Sequence, residues 1–209
     1  MDWQLDPAAV RVLGALMEKE STTPEYYPLS LNALVNACNQ KSNRDPVVSY
    51  DEDMVEAALE RLRATGLAVR ISGESRVPKH GQRFTEKFNL GRREAAVMCV
   101  LMLRGPQTVG ELRGRTERMY TFDDLEAVEH TLHTLADGGY VQVLPRQPGS
   151  REVRHGHLLS GPIEATADSP ERNPAPVSRA SADSERIAEL ERAVAELRSE
   201  FEAFRKSFE

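Results

Sequence analysis

The stretch from Met54 to Ser72, MVEAALERLRATGLAVRIS, decides the fold because a related stretch follows later in the chain. It matches Ala127 to Pro145, AVEHTLHTLADGGYVQVLP, at a constant offset. The identical pairs are Val55 with Val128, Glu56 with Glu129, Leu59 with Leu132, Leu62 with Leu135, and Gly66 with Gly139. Apolar residues at this spacing share one face of a helix, and glycine is common where a helix ends. The chain therefore contains two copies of one structural unit.

Each copy predicts three helices followed by two short strands. Capping residues mark the helix starts, acidic residues follow them in the third helix of each copy, and a polar turn separates the strands. The predicted starts are Asp6, Ser30 and Asp51 in copy one, and about Arg92, Thr108 and Asp123 to Asp124 in copy two. Three helices and a hairpin are the winged-helix arrangement, a variant of helix-turn-helix. We therefore predict an α+β, mainly α, fold with winged-helix domains at residues 1–90 and 91–160.

The chain changes character near Gly161. Residues 161–184 are rich in Pro, Ala and Ser, which is typical of a flexible linker. Residues 185–209 carry apolar side chains at spacings of three and four, the pattern of a coiled coil: Ile187, Leu190, Val194, Leu197, Phe201, Phe204 and Phe208. A helix this short needs a partner to bury such a stripe, either a second copy of the chain or its own folded body. We expect self-association through this tail.

Charge and composition argue against a wholly disordered chain and against a membrane-spanning protein. The 209 residues carry 27 Lys and Arg against 33 Asp and Glu, and 40% of them are apolar, which suits a folded chain. The longest apolar run is too short to span a membrane, so we expect a cytosolic protein without membrane contact. The two cysteines, Cys38 and Cys99, lie among apolar neighbours, and we expect both to be buried. The net charge is −2 for residues 1–90, zero for 91–160 and −4 for 161–209, so the overall value of −6 does not exclude a basic surface.

Several segments resemble the YceH family of bacterial proteins. They are Leu13 to Glu20, Thr22 to Ser30, Cys38 to Pro46, Phe84 to Leu90, Val109 to Arg113 and His157 to Gly161. The likeness covers about Leu5 to Gly161 and leaves out the linker and tail. It implies a tandem winged-helix fold in a cytosolic bacterial protein, with no established reaction or ligand.

The sequence contains no motif that indicates catalysis. It has no glycine-rich phosphate loop, no G-x-S-x-G elbow and no paired cysteines, so we expect neither an enzyme nor a bound cofactor. The histidine pairs His130 with His133 and His155 with His157 could share a metal if helix and strand meet. Ordinary surface or hydrogen-bonded histidines explain them better, and we predict no metal site.

Basic residues are concentrated between the two copies. Residues 70–93 have a local charge of +5, and their cations on an extended hairpin could follow a phosphate backbone. The polar turn at residues 39–44 could add base or phosphate contacts, or could simply end a helix; the two interpretations are about equal. The predicted nucleic-acid-binding residues are Lys41, Asn43, Arg44, Arg70, Arg76, Lys79, Arg83 and Lys87. Duplex DNA is the expected partner, bound largely without sequence preference.

A competing hypothesis makes both copies protein-binding modules. Their third helices are acidic and would repel phosphates where winged helices usually contact DNA. Tyr26, Tyr27 and Pro28 could form a partner-binding patch if exposed, or could pack their segment onto the first helix. A ligand-sensing repressor is a third alternative, which requires a pocket.

Overall fold

The structure, a computed structural model, describes residues 4–71, 77–146 and 152–163. The protein is α+β: about half of the described residues are helical, and the strands form two small antiparallel sheets. The helices are α1 (Pro7–Thr22), α2 (Leu31–Cys38), α3 (Glu52–Ala64), α4 (Phe84–Lys87), α5 (Arg92–Arg104), α6 (Val109–Thr116) and α7 (Leu125–Asp137). The strands are β1 (Leu29–Ser30), β2 (Ala68–Ile71), β3 (Lys79–Gln82), β4 (Val141–Leu144) and β5 (Arg154–His157).

Some predictions fall outside the described residues. They are Arg76, the linker beyond residue 163, and the whole coiled-coil tail with its seven apolar positions. Among the helices that the structure does describe, none has both the length and the apolar character needed to cross a membrane.

Five of the described helices, α1, α2, α3, α6 and α7, begin at capping residues where the sequence predicts a helix start. In each case a side-chain oxygen accepts a hydrogen bond from a backbone N–H three residues later, which satisfies a donor that the first turn leaves free. The distances are 2.9 Å at Asp6, 3.3 Å at Ser30, 2.8 Å at Asp51, 3.2 Å at Thr108 and 2.8 Å at Asp124. Gly66 and Gly139 follow the third helices with φ of 69° and 72°, where glycine is favoured.

The hairpins of the two halves have the same register. Arg70 faces His80 in the first hairpin, and Val143 faces His155 in the second. A third segment flanks each hairpin on the same side, because Leu29 of β1 pairs with His80 and Gln107 forms an isolated bridge with His155. The internal repeat therefore extends through the sheet.

The equivalence fixes which residues correspond. The helices α2 and α6 both have 8 residues, and α3 and α7 both have 13. The third helices are offset by 73 residues and the second hairpin strands by 75, so the segment that joins the two hairpin strands is two residues longer in the second half. His80 with Gly81 thus corresponds to His155 with Gly156.

One hydrophobic core contains buried residues from both halves. The helices α1 and α5, which are equivalent at an offset of 85, pack directly on each other. Their equivalent residues Gly14 and Cys99 meet, since the Cys99 Sγ lies 3.4 Å from the Gly14 carbonyl oxygen. A Cβ at Gly14 would lie 3.0 Å from the Leu103 side chain, so this close approach depends on glycine. Cys38 is also buried, as predicted for both cysteines, and burial raises the pKa of its thiol to about 12.

Candidate nucleic-acid interface

Arg70 of β2 and Lys79 of β3 occupy neighbouring positions in the first hairpin but lie on opposite faces of the sheet. The register pairs Arg70 with His80 and Ile71 with Lys79, and directly paired residues share a face of the sheet. Arg70 is therefore on the face that buries His80, and Lys79 is on the other face. Arg70 is exposed and Lys79 is half-buried. Within the described ranges neither side chain makes an ion pair.

Two further predicted cations lie beyond the end of β3. Arg83 is exposed, and its Nη1 is 3.8 Å from the Glu86 Oε2 in a loose surface pair. The Lys87 ammonium group donates a hydrogen bond to the Thr65 carbonyl, just past the end of α3, and lies 5.9 Å from the centroid of the Phe88 ring. Arg83 is thus available to a ligand, whereas Lys87 also attaches α4 to α3.

The second hairpin places the equivalent cation in an ion pair. Arg154 corresponds to Lys79, and its Nη1 lies 3.0 Å from the Glu111 Oε2 and 2.8 Å from the Pro106 carbonyl oxygen. The first half has Ala33 at the position of Glu111, so no carboxylate is present there. The two hairpins have the same strand pairing but differ in the charge that they expose to solvent.

The structure corrects the assignment of Arg44 to a phosphate contact. Its side chain is 0% exposed, and the guanidinium donates to both Glu18 carboxylate oxygens, at 3.1 and 2.6 Å. The remaining donors bond to the Ala37 carbonyl, at 2.8 and 3.2 Å, and to neighbouring acceptors. A guanidinium enclosed in this way has no surface for a phosphate, so Arg44 holds the α2–α3 turn onto α1.

The other polar side chains of residues 39–44 also serve the turn. Asn39 exchanges two hydrogen bonds of 2.8 Å with the backbone of Tyr50, and the Gln40 Oε1 accepts from Arg44 at 3.2 Å. Asn43 has φ of 58°, and its side-chain oxygen accepts from Arg104. These bonds favour the helix-ending interpretation over base contacts. Lys41 is exposed and has no bonded partner in the part of the chain that the structure describes.

The third helices have acidic exposed faces, as their sequences predict. In α3 the two cations are already paired: Arg61 lies 2.9 Å from Asp6, and Arg63 lies 3.1 Å from Glu56. The exposed face of α7 contains Glu126 and Glu129. A phosphate backbone approaching either helix would meet unbalanced negative charge.

The hairpin histidines His80 and His155 are buried, and His157 is half-buried. The Nδ1 atoms of His80, His155 and His157 are buried and have no hydrogen-bond partner among the described residues. Burial lowers the pKa of His80 and His155, and it lowers the pKa of His157 to about 4. Between residues 4 and 163, outside the gaps at 72–76 and 147–151, no three His, Cys, Asp or Glu side chains are placed to hold a metal ion.

Comparisons with known proteins connect this arrangement to a family. A family model described as "Protein of unknown function, DUF480" matches residues 5–150. A UPF0502 protein from Solibacter usitatus is 69% identical over 209 residues, which cover all of both chains. Another from Opitutus terrae is 56% identical over 179 residues, 84% of this chain and 78% of the relative. The chain belongs to the UPF0502 family. This is the YceH family, so the resemblance seen in the sequence is confirmed.

The match to UPF0502 relatives extends beyond the family model. The match to the family model ends at residue 150, before β5 begins. The UPF0502 protein of Geobacter sulfurreducens is 47% identical over 202 residues, which cover 94% of this chain and 91% of that relative. The second hairpin strand and most of the C-terminal region therefore align with family members as well.

The predicted aromatic patch is divided by the structure. The Tyr27 hydroxyl accepts a hydrogen bond of 2.6 Å from the Gln82 backbone N–H, and the same oxygen would lie 3.2 Å from a Cβ at Gly81 of β3. Tyr26 is 71% exposed. Tyr27 therefore packs its segment onto the first sheet, and Tyr26 alone of these two tyrosines is available to a partner.

The sequence analysis did not identify the position that decides whether the hairpin cation is neutralised. This position is Ala33 in the first half and Glu111 in the second. Aligning Ser30 with Thr108 already places Ala33 opposite Glu111, and the shared His-Gly pair places Lys79 opposite Arg154. Only the folded structure brings Glu111 of α6 and Arg154 of β5 together, because they are 43 residues apart in sequence. The signal was present in the repeat, but the contact depends on tertiary structure.

Proposed function

We propose that the protein is a nucleic-acid-binding, non-enzymatic regulator built from two winged helices. In each half, three helices are followed by a hairpin, and a short segment before the second helix pairs with the outer side of that hairpin. This order of helices and strands supports the winged-helix assignment. The proposal assigns phosphate contacts to the first hairpin and the connector that follows it.

The observation that best supports this proposal is the difference in ion pairing between Lys79 and Arg154. Both occupy the first position of the second hairpin strand, but Glu111 neutralises Arg154, whereas Lys79 has no carboxylate within 4 Å in the described structure. An uncompensated cation on an extended strand is suited to a phosphate, because binding releases a counterion from the DNA. The first hairpin is accordingly the proposed contact.

The proposed interface combines this cation with its neighbours. Arg70 extends from the opposite face of the hairpin, and Arg83 follows Lys79 by four residues, about 13 Å along an extended chain. Arg76, which lies outside the described residues, belongs to the same proposal. Asn43 and Arg44 are left out because their side chains bond within the protein. The cationic groups reach phosphates rather than base edges, so we expect little sequence preference.

A fluorescence anisotropy titration of the full chain with a short labelled duplex at low salt tests the proposal. We expect binding that weakens steeply with added salt. Lys79→Glu should lower the affinity by about tenfold and should make the salt dependence shallower by about one unit of slope, because a phosphate contact is lost.

Arg146→Glu is the matched control, because Arg146 is an exposed cation after β4 in the other half and makes no described ion pair. It should change the affinity by less than about threefold, as a distant charge is screened. Equal losses in the two variants would place the contact elsewhere. Absence of binding by the wild-type protein at low salt would refute DNA binding altogether.

Protein binding is a second candidate, supported by exposed apolar side chains and by the acidic face of α7. Tyr26 is 71% exposed, and Leu125, at the start of α7, is 48% exposed. A basic partner with an apolar contact residue would fit the α7 surface. In the anisotropy experiment, this candidate is favoured if duplex DNA does not bind.

We also propose self-association through the C-terminal heptads. The supporting pattern runs from Ile187 to Phe208, and two copies would bury it along a shared seam. Replacing Leu190 and Leu197 by Asp in the full chain should convert an oligomer to a monomer in sedimentation experiments. A monomeric mass for the wild-type protein would contradict this part of the proposal.

A further inference from the structure

A cleft outside the first hairpin lies where the two halves meet. It has a volume of about 260 Å³ and is lined by the end of α1, the end of α5, the end of α6 and the turn after α6. Asn43, from the α2–α3 turn of the first half, forms part of its wall. Three arginines face this cleft, at positions 104, 115 and 118.

Two of these arginines form no ion pair with a carboxylate of the described residues. The Arg104 guanidinium donates to the neutral Asn43 side chain, and no carboxylate of the described residues lies within 4 Å of it. Arg118 is exposed and forms no hydrogen bond or ion pair with any residue that the structure describes. Arg115 lies 3.4 Å from Glu111, but that carboxylate is shared with Arg154. The arginines of the cleft therefore have unused capacity for an anion.

The acidic residues near the cleft do not cancel this charge. The Glu18 carboxylate is occupied by Arg44, at 2.6 Å, and lies 3.7 Å from Lys19. Glu117 also lines the cleft. Its single carboxylate stands against two guanidiniums, those of Arg104 and Arg118. Burial, followed by the charges of Arg115 and Arg44, lowers the pKa of Arg104. The carboxylates of Glu18 and Asp45 partly oppose this shift.

We propose that this cleft binds a phosphate group. Arginines from α5, α6 and the following turn line it, and the several oxygens of a phosphate can accept hydrogen bonds from more than one guanidinium. The cleft volume suits a phosphate or pyrophosphate group better than a whole nucleotide. The group could belong to a small phosphorylated molecule or to a nucleic-acid backbone, since the recognising chemistry is the same.

The proposal is independent of DNA binding by the first hairpin. Its residues are Arg104, Arg115 and Arg118, none of which lies in that hairpin. A ligand here would bridge Asn43 of the first half and α6 of the second, and would thus report on the junction between them.

Isothermal titration of the full-length protein with inorganic pyrophosphate tests the cleft. We expect saturable 1:1 binding, weakened about tenfold in Arg118→Gln through loss of one charge-assisted contact. Arg118 is exposed, so this variant should keep its unfolding temperature. Arg104→Lys keeps the charge but loses the planar guanidinium, and it should weaken binding by a smaller factor. Arg146→Gln, an exposed arginine outside the cleft, is the control and should bind as the wild type does.

The DNA titration distinguishes the source of the phosphate. If pyrophosphate binds and Arg118→Gln leaves DNA affinity unchanged, the ligand is a small phosphorylated molecule. If Arg118→Gln weakens DNA binding and pyrophosphate competes with DNA, the cleft holds a backbone phosphate. No saturable pyrophosphate binding by folded wild-type protein, or equal weakening in Arg146→Gln, would overturn the proposal. Loss of DNA binding in Lys79→Glu with intact pyrophosphate binding would leave both proposals standing separately.

Discussion

The first and second halves of the chain share a backbone plan but use charge in different ways. Their third helices have equal lengths, and their hairpins pair in the same register. In the first half an ion pair between Arg44 and Glu18 is buried, and the hairpin cation Lys79 has no ion pair within the described residues. In the second half the hairpin cation Arg154 is paired near the surface with Glu111. Helix caps and apolar positions set the common fold, while charged positions are free to differ between copies.

The two ion pairs should differ in energetic weight. Arg44 and Glu18 are 0% and 9% exposed in their side chains, whereas Arg154 and Glu111 are 36% and 29% exposed. When a buried charged group loses its partner, the free-energy cost of its desolvation is no longer offset. Water screens the second pair and solvates either member when the other is removed. The first half therefore depends on its ion pair more strongly.

Glu18→Gln should cause the largest loss of stability that this comparison predicts. It leaves the Arg44 guanidinium buried without a countercharge, which should lower the free energy of unfolding by about 3 kcal/mol. Glu111→Gln is the matched change in the second half, and glutamine can keep the capping box at the start of α6. It should cost about 1 kcal/mol or less. Urea denaturation of both variants measures the difference, and equal losses would contradict the contrast between the halves.

Helix starts and the repeat could be predicted because they depend on residues close in sequence. Ser30, Asp51, Thr108 and Asp124 cap helices through bonds spanning three residues, so their type and position were sufficient. The role of Arg44 could not be predicted in this way. Its partner Glu18 is 26 residues away, and a turn that contains Arg next to Asn, Ser and Asp looks the same whether Arg points outward or inward.

The junction between the halves also required the folded structure. The repeat shows that Gly14 and Cys99 occupy equivalent positions, but not that they touch across 85 residues. Likewise, the cleft arginines belong to different elements and come together only when α5 and α6 pack. The charge of the first hairpin was visible in the sequence, whereas the neutralisation of the second depended on a long-range contact.

Gln82 and His157 occupy the same position in the two hairpins and differ in their response to acid. The Gln82 side chain donates hydrogen bonds to Glu20 at 2.6 Å and to Thr85 at 2.8 Å. His157 has a buried Nδ1 with no hydrogen-bond partner among the described residues. Glutamine does not titrate, so this position should make only the second half sensitive to pH.

His157→Gln should reduce the loss of stability on acidification, a smaller effect than that of Glu18→Gln. Burial lowers the pKa of His157 from 6.5 to about 4, so the unfolded chain binds its proton first as the pH falls. The stability that neutral His157 contributes is present above pH 6.5 and is lost as the pH falls toward 4. Between pH 7 and 5 this amounts to about 2 kcal/mol, which the variant should not lose. Urea denaturation at several pH values measures the slope, with His130→Gln on the exposed face of α7 as control. An unchanged slope in His157→Gln would show that protonation of this side chain does not make the second half sensitive to acid.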